Sequence, residues 1–520
     1  MESTDKQSCK PGLWGDIHPI MATGSAFLVV IFVLFTVINP QYAGSVFNSA
    51  RDFIASNLSW YYIALMNFYL VFALLLVFSK YGKIRLGADS DKPEFSYFAW
   101  FSMLFGAGIG IGILFWSIAE PISYFQSNPF ISDTQIMTAE AAQVAMRVAI
   151  FHWGLHGWAL YAVLGMTFAY FTYRKGLPLS IRSALYPIFG ERIYGPIGNI
   201  ADLLAVLGTV FGIATSLGLG AQQMNAGINY LLDIEISTAT QILLIAVISI
   251  VATASVLSGV NKGIRILSEL NMTLTLLILA LFFIFGPTLY LLSSIGANTV
   301  DYLMHAPALG VWLAPAEHAQ WQSDWTIFYW GWWLAWSPFT GIFIARISRG
   351  RTVREFLLGV LIVPTLLTIL WITIFGNSAM YIELFGDGGV TAAVNADTTI
   401  ALFKTIELMD VGYLLTGIMA IICTIMLLTY FVTSADSATL VICTLVAMSK
   451  NDPPAKLRIF WGVAIGAVAA VLLYSGGLQA LKTASIVVAL PFSLVLILAT
   501  CGLCKSLYNE GKKSTTQSLF

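Results

Sequence analysis

Twelve apolar runs, each long enough to cross a bilayer as a helix, alternate with polar connections along the chain. They fall at about residues 21–38, 59–79, 96–118, 142–173, 198–230, 237–258, 266–293, 325–346, 355–385, 411–447, 457–475 and 480–504. A hydrocarbon core of about 30 Å needs about 20 apolar residues in helical form, so the pattern predicts an all-α polytopic membrane protein with 12 transmembrane helices. The basic residues give the direction of threading. Connections on one side hold Lys80, Lys83, Arg85 and Lys92, then Arg174, Lys175, Arg182 and Arg192, then Lys262 and Arg265. The same side continues with Arg346, Arg349, Arg351 and Arg354, with Lys450, Lys456 and Arg458, and with the tail lysines. Connections on the other side hold only Arg51, Lys404 and Lys482. By the positive-inside rule, both termini are then cytoplasmic.

Predicted helix 3 carries glycine at every second position, Gly106, Gly108, Gly110 and Gly112. Glycines 106/110 and 108/112 each match the small-xxx-small pattern of close helix packing, but alternate residues cannot share one helix face. Each glycine inside a helix also costs about 1 kcal/mol against alanine. A break in mid-membrane accounts for all four, and such breaks expose backbone groups to cations and substrates.

Aromatic residues gather in two places. The stretch Trp325–Gly341 holds Trp325, Trp330, Trp332, Trp333 and Trp336, with Tyr329 among them. Predicted helix 4 holds Trp153, Trp158 and Tyr161, which span a face of about 140° at 100° per residue. Tryptophan in a membrane helix ordinarily marks the headgroup belt, where its N–H meets water. Two dense groups on separate helices near the middle of the membrane do not fit one belt. Indole faces in a cage attract a quaternary ammonium by cation–π interaction.

Polar residues inside the apolar runs are few. Arg147 is an intramembrane or border charge and a functional candidate without an assignable partner. His152 and His156 stand four apart without a supporting Cys, Asp or Glu at ligand spacing, so they read as hydrogen-bonding residues. Thr433 and Ser434 offer adjacent hydroxyls beside Asp436; they either bond the preceding turn or, with carbonyls freed in predicted helix 3, build a hard-oxygen site for sodium. Predicted helices 3 and 8 are both interrupted at mid-length by Gly or Pro, the latter by Pro338 and Gly341, and they start on opposite sides with five spans between their starts, which points to two inverted units. The resulting division is a cytoplasmic tail (1–20), two N-terminal helices (21–94), a first repeat (95–293), a connection with an amphipathic segment (294–324), a second repeat (325–504) and a short tail (505–520).

Composition narrows the function classes. The chain is 58% hydrophobic and 10% charged, with mean hydropathy +0.81, against about 25% charged residues in a soluble globular protein. A net charge of −1 without a basic tract excludes nucleic acid as a partner. The chain has no Walker loop or nucleotide fingerprint, and no nucleophile–base pair converges on the aromatic region, so neither ATP-driven transport nor enzyme catalysis is expected. Cys501 and Cys504 lack a second pair for a zinc site and read as apolar filler. A channel or receptor with an aromatic onium site is the rival class.

In order along the chain stand Ile84–Ser96 with I-R-L-G and K-P-E-F-S, G-A-G-I-G-I-G, Leu177–Gly190, and Ser258–Asn271. The tryptophan stretch follows, running into A-R-I-S-R-G-R-T-V-R-E-F, and then Y-F-V-T-S-A-D-S. Together they resemble the betaine/choline/carnitine transporter family over residues 14–505. The resemblance implies a leucine-transporter-like core of two inverted five-helix repeats, helices 3–7 and 8–12. It also implies a homotrimer in the bacterial cytoplasmic (inner) membrane and alternating access for an onium substrate. The positions matching the family's aromatic box are Trp153, Trp158, Tyr161, Trp332, Trp333 and Trp336, with backbone N–H groups of Gly108, Ile109, Gly110 and Gly112 for a carboxylate. The implied sodium site uses backbone oxygens at Ala107, Ile109 and Tyr430 and the hydroxyls of Thr433 and Ser434. A second sodium site would use Thr209 and Phe339, although Ile213 stands where that site has a second threonine. Choline carriers of the family tend to place Asp at the last glycine of the helix 3 motif; here it is Gly112, which favours a zwitterion such as glycine betaine, dimethylsulfoniopropionate or carnitine. The expected activity is sodium symport, with sodium as coupling ion and no cofactor; proton-coupled choline uptake and sodium-independent exchange are the alternatives.

Overall fold

In hydrocarbon every backbone N–H and C=O has to find its partner within the protein, and this chain meets that condition with helices. A computed structural model describes residues 18–108, 110–258, 260–447 and 453–517, with the side chains of 105–108, 258, 260–265, 268 and 513–517 left aside. The described residues form no strand; one isolated antiparallel bridge pairs Arg85 with Thr352. Many large apolar side chains face outward, among them Phe78, Phe98 and Leu289. Such a surface is at home in lipid.

Among the described residues, each of the twelve predicted stretches lies mostly on helix. Eight helices among the described residues are long and apolar enough to cross a membrane, and nine if Glu269–Phe285 and Thr288–Val311 form one bent span. The tryptophan helix, Phe328–Arg346, is outside that set; its indole, glycine and proline residues make it less apolar than its neighbours. The Ala455–Gln517 helix counts once although it kinks at Gly476 and Gly477, between the two stretches predicted there. It also continues past residue 504, where a tail was expected. Its end is tied down by Glu510, which accepts hydrogen bonds from Lys175 (2.6 Å), from the Tyr170 hydroxyl (2.8 Å) and from Arg174.

Three elements differ from the sequence reading. Predicted helix 4 is two helices, Ala139–Trp153 and Leu155–Ala169, separated by Gly154 at φ −94°, ψ −142°. Its aromatic residues therefore do not share one continuous helix face. The interruption expected in the tryptophan helix is absent: the helix runs through Pro338 and Gly341. Proline has no N–H for the carbonyl four residues back, and the Ser337 hydroxyl donates to that Leu334 carbonyl instead, at 2.7 Å. Predicted helix 7 ends at Phe285, and the chain turns by 114° through Gly286 and Pro287 into Thr288–Val311. The stretch where a break was expected in predicted helix 3 includes Ile109, which lies outside the described residues; helix covers Tyr97–Gly108 before it and Gly110–Gln126 after it.

The basic connections are structured by their own motifs. Leu86 N–H donates to Arg351 O at 2.8 Å, and Gly350 N–H donates to Leu86 O at 2.8 Å. The Arg351 guanidinium lies 3.9 Å from the Trp100 ring and donates to Phe95 O at 2.8 Å. Thr352 and Glu355 form a reciprocal cap that starts the Val353–Phe385 helix. In the Leu177–Gly190 motif, Arg182 and Asp202 are both buried and paired, and Asp202 also accepts the Arg182 backbone N–H at 3.1 Å. A buried charge is tolerated only when paired in this way.

Candidate functional site

Gly112, Trp153, Tyr161, Ser216, Trp332, Trp333 and Trp336 line one small cavity of about 20 Å³. Five of the six aromatic residues singled out from the sequence stand on this wall. The sixth, Trp158, packs one layer behind, edge-on to Trp333 at 5.7 Å and to Tyr161 at 5.8 Å. Ser216, on the Pro196–Leu232 helix, was not singled out; a lone serine in an apolar run carries no signal of its own.

Two devices bring these rings together. The first is the interruption of the helix at Gly154, between Trp153 and Tyr161. Its new terminus leaves the Leu155 N–H without a helical partner, and the Tyr302 hydroxyl accepts it at 2.9 Å. The second is the absence of side chains at two glycines. A Cβ at Gly157 would overlap the Trp333 ring, and one at Gly112 would overlap Trp332 and come within 3.0 Å of Trp153. Gly112 therefore does more than withhold a charge: two indoles occupy the space an aspartate would need.

The rings meet edge to face. Trp153 crosses Trp332 at 81° and 5.8 Å, and Trp333 at 70° and 6.1 Å. Tyr161 lies 4.7 Å from Trp333. Faces and edges alternate as ring quadrupoles prefer. Trp333 Nε1–H donates to His152 O at 3.0 Å, and Trp332 Nε1–H makes a long bond to Gly212 O at 3.4 Å.

Behind this wall lies a residue the sequence reading passed over. Glu120, 1% exposed, accepts from Trp153 Nε1–H at 2.9 Å and from the Tyr329 hydroxyl on Oε2. On Oε1 it meets the Tyr124 hydroxyl at 2.9 Å and His152 Nδ1 at 2.8 Å. His152 Nε2 reaches Thr326 Oγ1 at 3.1 Å, and His156 Nε2 lies 3.3 Å from Asn67 Oδ1, so both histidines take part in hydrogen bonds. The signal for Glu120 was available, since an ionisable residue inside an apolar helix is a site candidate by default. Lys482 is a second such case. Read as part of a connection, it lies inside the Ala455–Gln517 helix with its ammonium 4.7 Å from Trp325, 4.8 Å from Phe328 and 5.8 Å from Trp116.

The residues expected to hold sodium are placed as follows. Thr433 Oγ1 donates back to Thr429 O (3.0 Å) or Tyr430 O (3.2 Å) and accepts from Asn271 Nδ2 at 3.2 Å. The Ser434 hydroxyl lies next to Gly110, 3.6 Å from where a Cβ would stand. The Ser434 hydroxyl thus faces the start of the Gly110–Gln126 helix, while Thr433 bonds within its own helix and to Asn271. Ile109 is outside the described residues, and Ala107 lies in the last turn of Tyr97–Gly108. Thr209 is buried and bonds back to Ala205 O at 2.8 Å. Phe339 is buried on the tryptophan helix, edge-on to Trp336 at 5.5 Å. Arg147, whose partner the sequence does not name, pairs with Asp301.

Comparison with known proteins agrees with this arrangement. The family model of the betaine/carnitine/choline transporters matches residues 20–512. A probable glycine betaine transporter of Desulfitobacterium hafniense is 42% identical over 94% of this chain and 97% of its own length. The glycine betaine transporter OpuD of Bacillus subtilis is 43% identical over 94% of this chain and 95% of its own length. The high-affinity choline transport protein of Escherichia coli is 42% identical, over 95% of this chain and 72% of its own. An all-helical, lipid-faced chain with these motifs in order and these relatives belongs to the betaine/carnitine/choline family of transporters.

Proposed function

We propose that this transporter carries a glycine betaine-type zwitterion by sodium symport. The observation that supports it is the single cavity walled by Trp153, Tyr161, Trp332, Trp333 and Trp336. Ring faces on several sides give a trimethylammonium or dimethylsulfonium head a cation–π site, worth about 0.5–2 kcal/mol per good contact. Relatives named for glycine betaine and for choline are equally similar to this chain, so overall identity does not choose between them. Gly112 supports the zwitterion: two indoles fill the space that a counter-charge for choline would need at this position. The carboxylate of the zwitterion is assigned to backbone N–H groups of Gly108–Gly112. Sodium is assigned to the Thr433 and Ser434 hydroxyls with the Tyr430 carbonyl, and it stabilises the open state that admits substrate. Two inverted five-helix units alternate access around this site. The chain works as a homotrimer in a bacterial inner membrane, with both termini cytoplasmic.

The test is uptake of labelled glycine betaine into proteoliposomes under an inward sodium gradient, repeated with potassium in place of sodium. Accumulation that requires the sodium gradient is expected. Uptake indifferent to sodium would replace symport with exchange or proton coupling, and uptake of choline in preference to betaine would overturn the substrate assignment.

A further inference from the structure

The hydrogen bonds around Glu120 form a fan with the carboxylate at its hub. Three donors, the Tyr124 and Tyr329 hydroxyls and Trp153 Nε1–H, converge on its two oxygens, and His152 Nδ1 stands 2.8 Å from Oε1. A carboxylate accepts in this way; a neutral amide, with one oxygen and two N–H donors, cannot. Two walls of the cavity depend on the fan. Trp153 is bonded to Glu120 directly. Trp333 is bonded to the carbonyl of His152, whose ring is fixed by Glu120 on one nitrogen and Thr326 on the other. Tyr329 stacks on the His152 ring at 4.7 Å and 16°, and stands edge-on to Trp153 at 5.5 Å. Lys482, a cation buried in the bundle, is covered by the rings of Trp116, Trp325 and Phe328.

A hydrogen bond from an indole N–H to an anion is charge-assisted and draws the proton toward the acceptor, leaving the ring richer in electron density. Cation–π attraction rests on that density. A negative charge one ring behind the wall also acts directly on a cation in the cavity, through a medium of low dielectric. We infer that Glu120 is a positioning and specificity-determining residue: bonded to Trp153, it orients the cage and makes it prefer a cationic head over an uncharged head of the same shape. The inference rests on the onium-cage reading above.

The experiment compares binding of glycine betaine with that of tert-butylacetate, its carbon isostere, to the purified full-length protein by isothermal titration. In the native protein betaine is expected to bind more tightly; equal binding of the two would overturn the cage reading itself. In Glu120→Gln, betaine affinity is expected to fall about tenfold, the scale of one strong cation–π contact, while tert-butylacetate changes by less than about twofold. Equal losses for both ligands would make Glu120 a merely structural residue, and no loss for either would remove it from the site; each result overturns the inference while leaving the cage standing. Tyr329→Phe keeps the charge and its bond to Trp153 while removing one competing donor. It is expected to keep the native ratio of the two affinities, even if Glu120→Gln fails to fold, and a ratio collapsing to unity would overturn the inference.

Discussion

Arg147 and Asp301 meet in a two-point ion pair, Nε to Oδ2 at 2.6 Å and Nη2 to Oδ1 at 2.8 Å. The pair ties the first half of the broken helix to Thr288–Val311, the helix that leaves the bundle at the 114° bend. Tyr302, the next residue, bonds the second half at Leu155. One helix therefore holds both sides of the break. Arg147→Ala is expected to cost about 2–3 kcal/mol, between an exposed and a fully buried pair, read as a lowered melting temperature in detergent. The swap Arg147→Asp with Asp301→Arg should recover part of that loss, and no recovery would mean that the charges act separately.

Tyr302→Phe removes only the oxygen that accepts the Leu155 N–H. An orphaned buried N–H costs about 1–3 kcal/mol. Thermal unfolding should show that loss with betaine affinity weakened in parallel, because the break lies between Trp153 and Tyr161. A variant with native stability would show that another group satisfies the break.

Gly157→Ala sets two effects against each other. Alanine is the better helix former by about 1 kcal/mol, yet its Cβ would overlap the Trp333 ring. Overpacking costs about 1–3 kcal/mol, so the ring should move and betaine binding should weaken about tenfold. Trp333→Ala, which removes the wall, should be worse still. Native uptake in Trp333→Ala would refute its place in the cage.

Thr433→Ala and Ser434→Ala test the cation assignment separately from the cage. In each, the sodium dependence of betaine uptake should shift to about tenfold higher sodium, the effect of losing about 1.4 kcal/mol of one ligand. The choice of onium substrate should stay as it was. A sodium dependence identical to the native protein would move the ion elsewhere.

The helices were legible because hydrocarbon leaves the backbone one economical solution, and the apolar runs record it. The aromatic cluster was legible because tryptophan is scarce and two dense groups of it on separate helices do not fit one headgroup belt. The break at Gly154 was not, since nothing local distinguishes it from Gly157 three residues on; Tyr302, distant in sequence, decides which of the two leaves the helix. Pro338 misled in the opposite direction, because the neighbouring Ser337 supplies the bond that proline cannot. Glu120 hid in plain view. One carboxylate in an apolar run gives no sense of its four partners, which arrive from two other stretches of chain as well as its own.

The bridge between residues 84–86 and 350–353 has a mechanical meaning. It joins the approach to the glycine-rich helix to the exit from the tryptophan helix by main-chain hydrogen bonds, with Arg351 seated on Trp100 and Trp100 Nε1–H bonded to Ser348 Oγ at 2.9 Å. At their opposite ends the two helices meet through side chains, with Trp116 edge-on to Trp325 at 5.5 Å and the Tyr329 hydroxyl bonded to Glu120. The basic end of the pair is therefore the one fastened by backbone bonds, which hold whatever the side chains at the other end do.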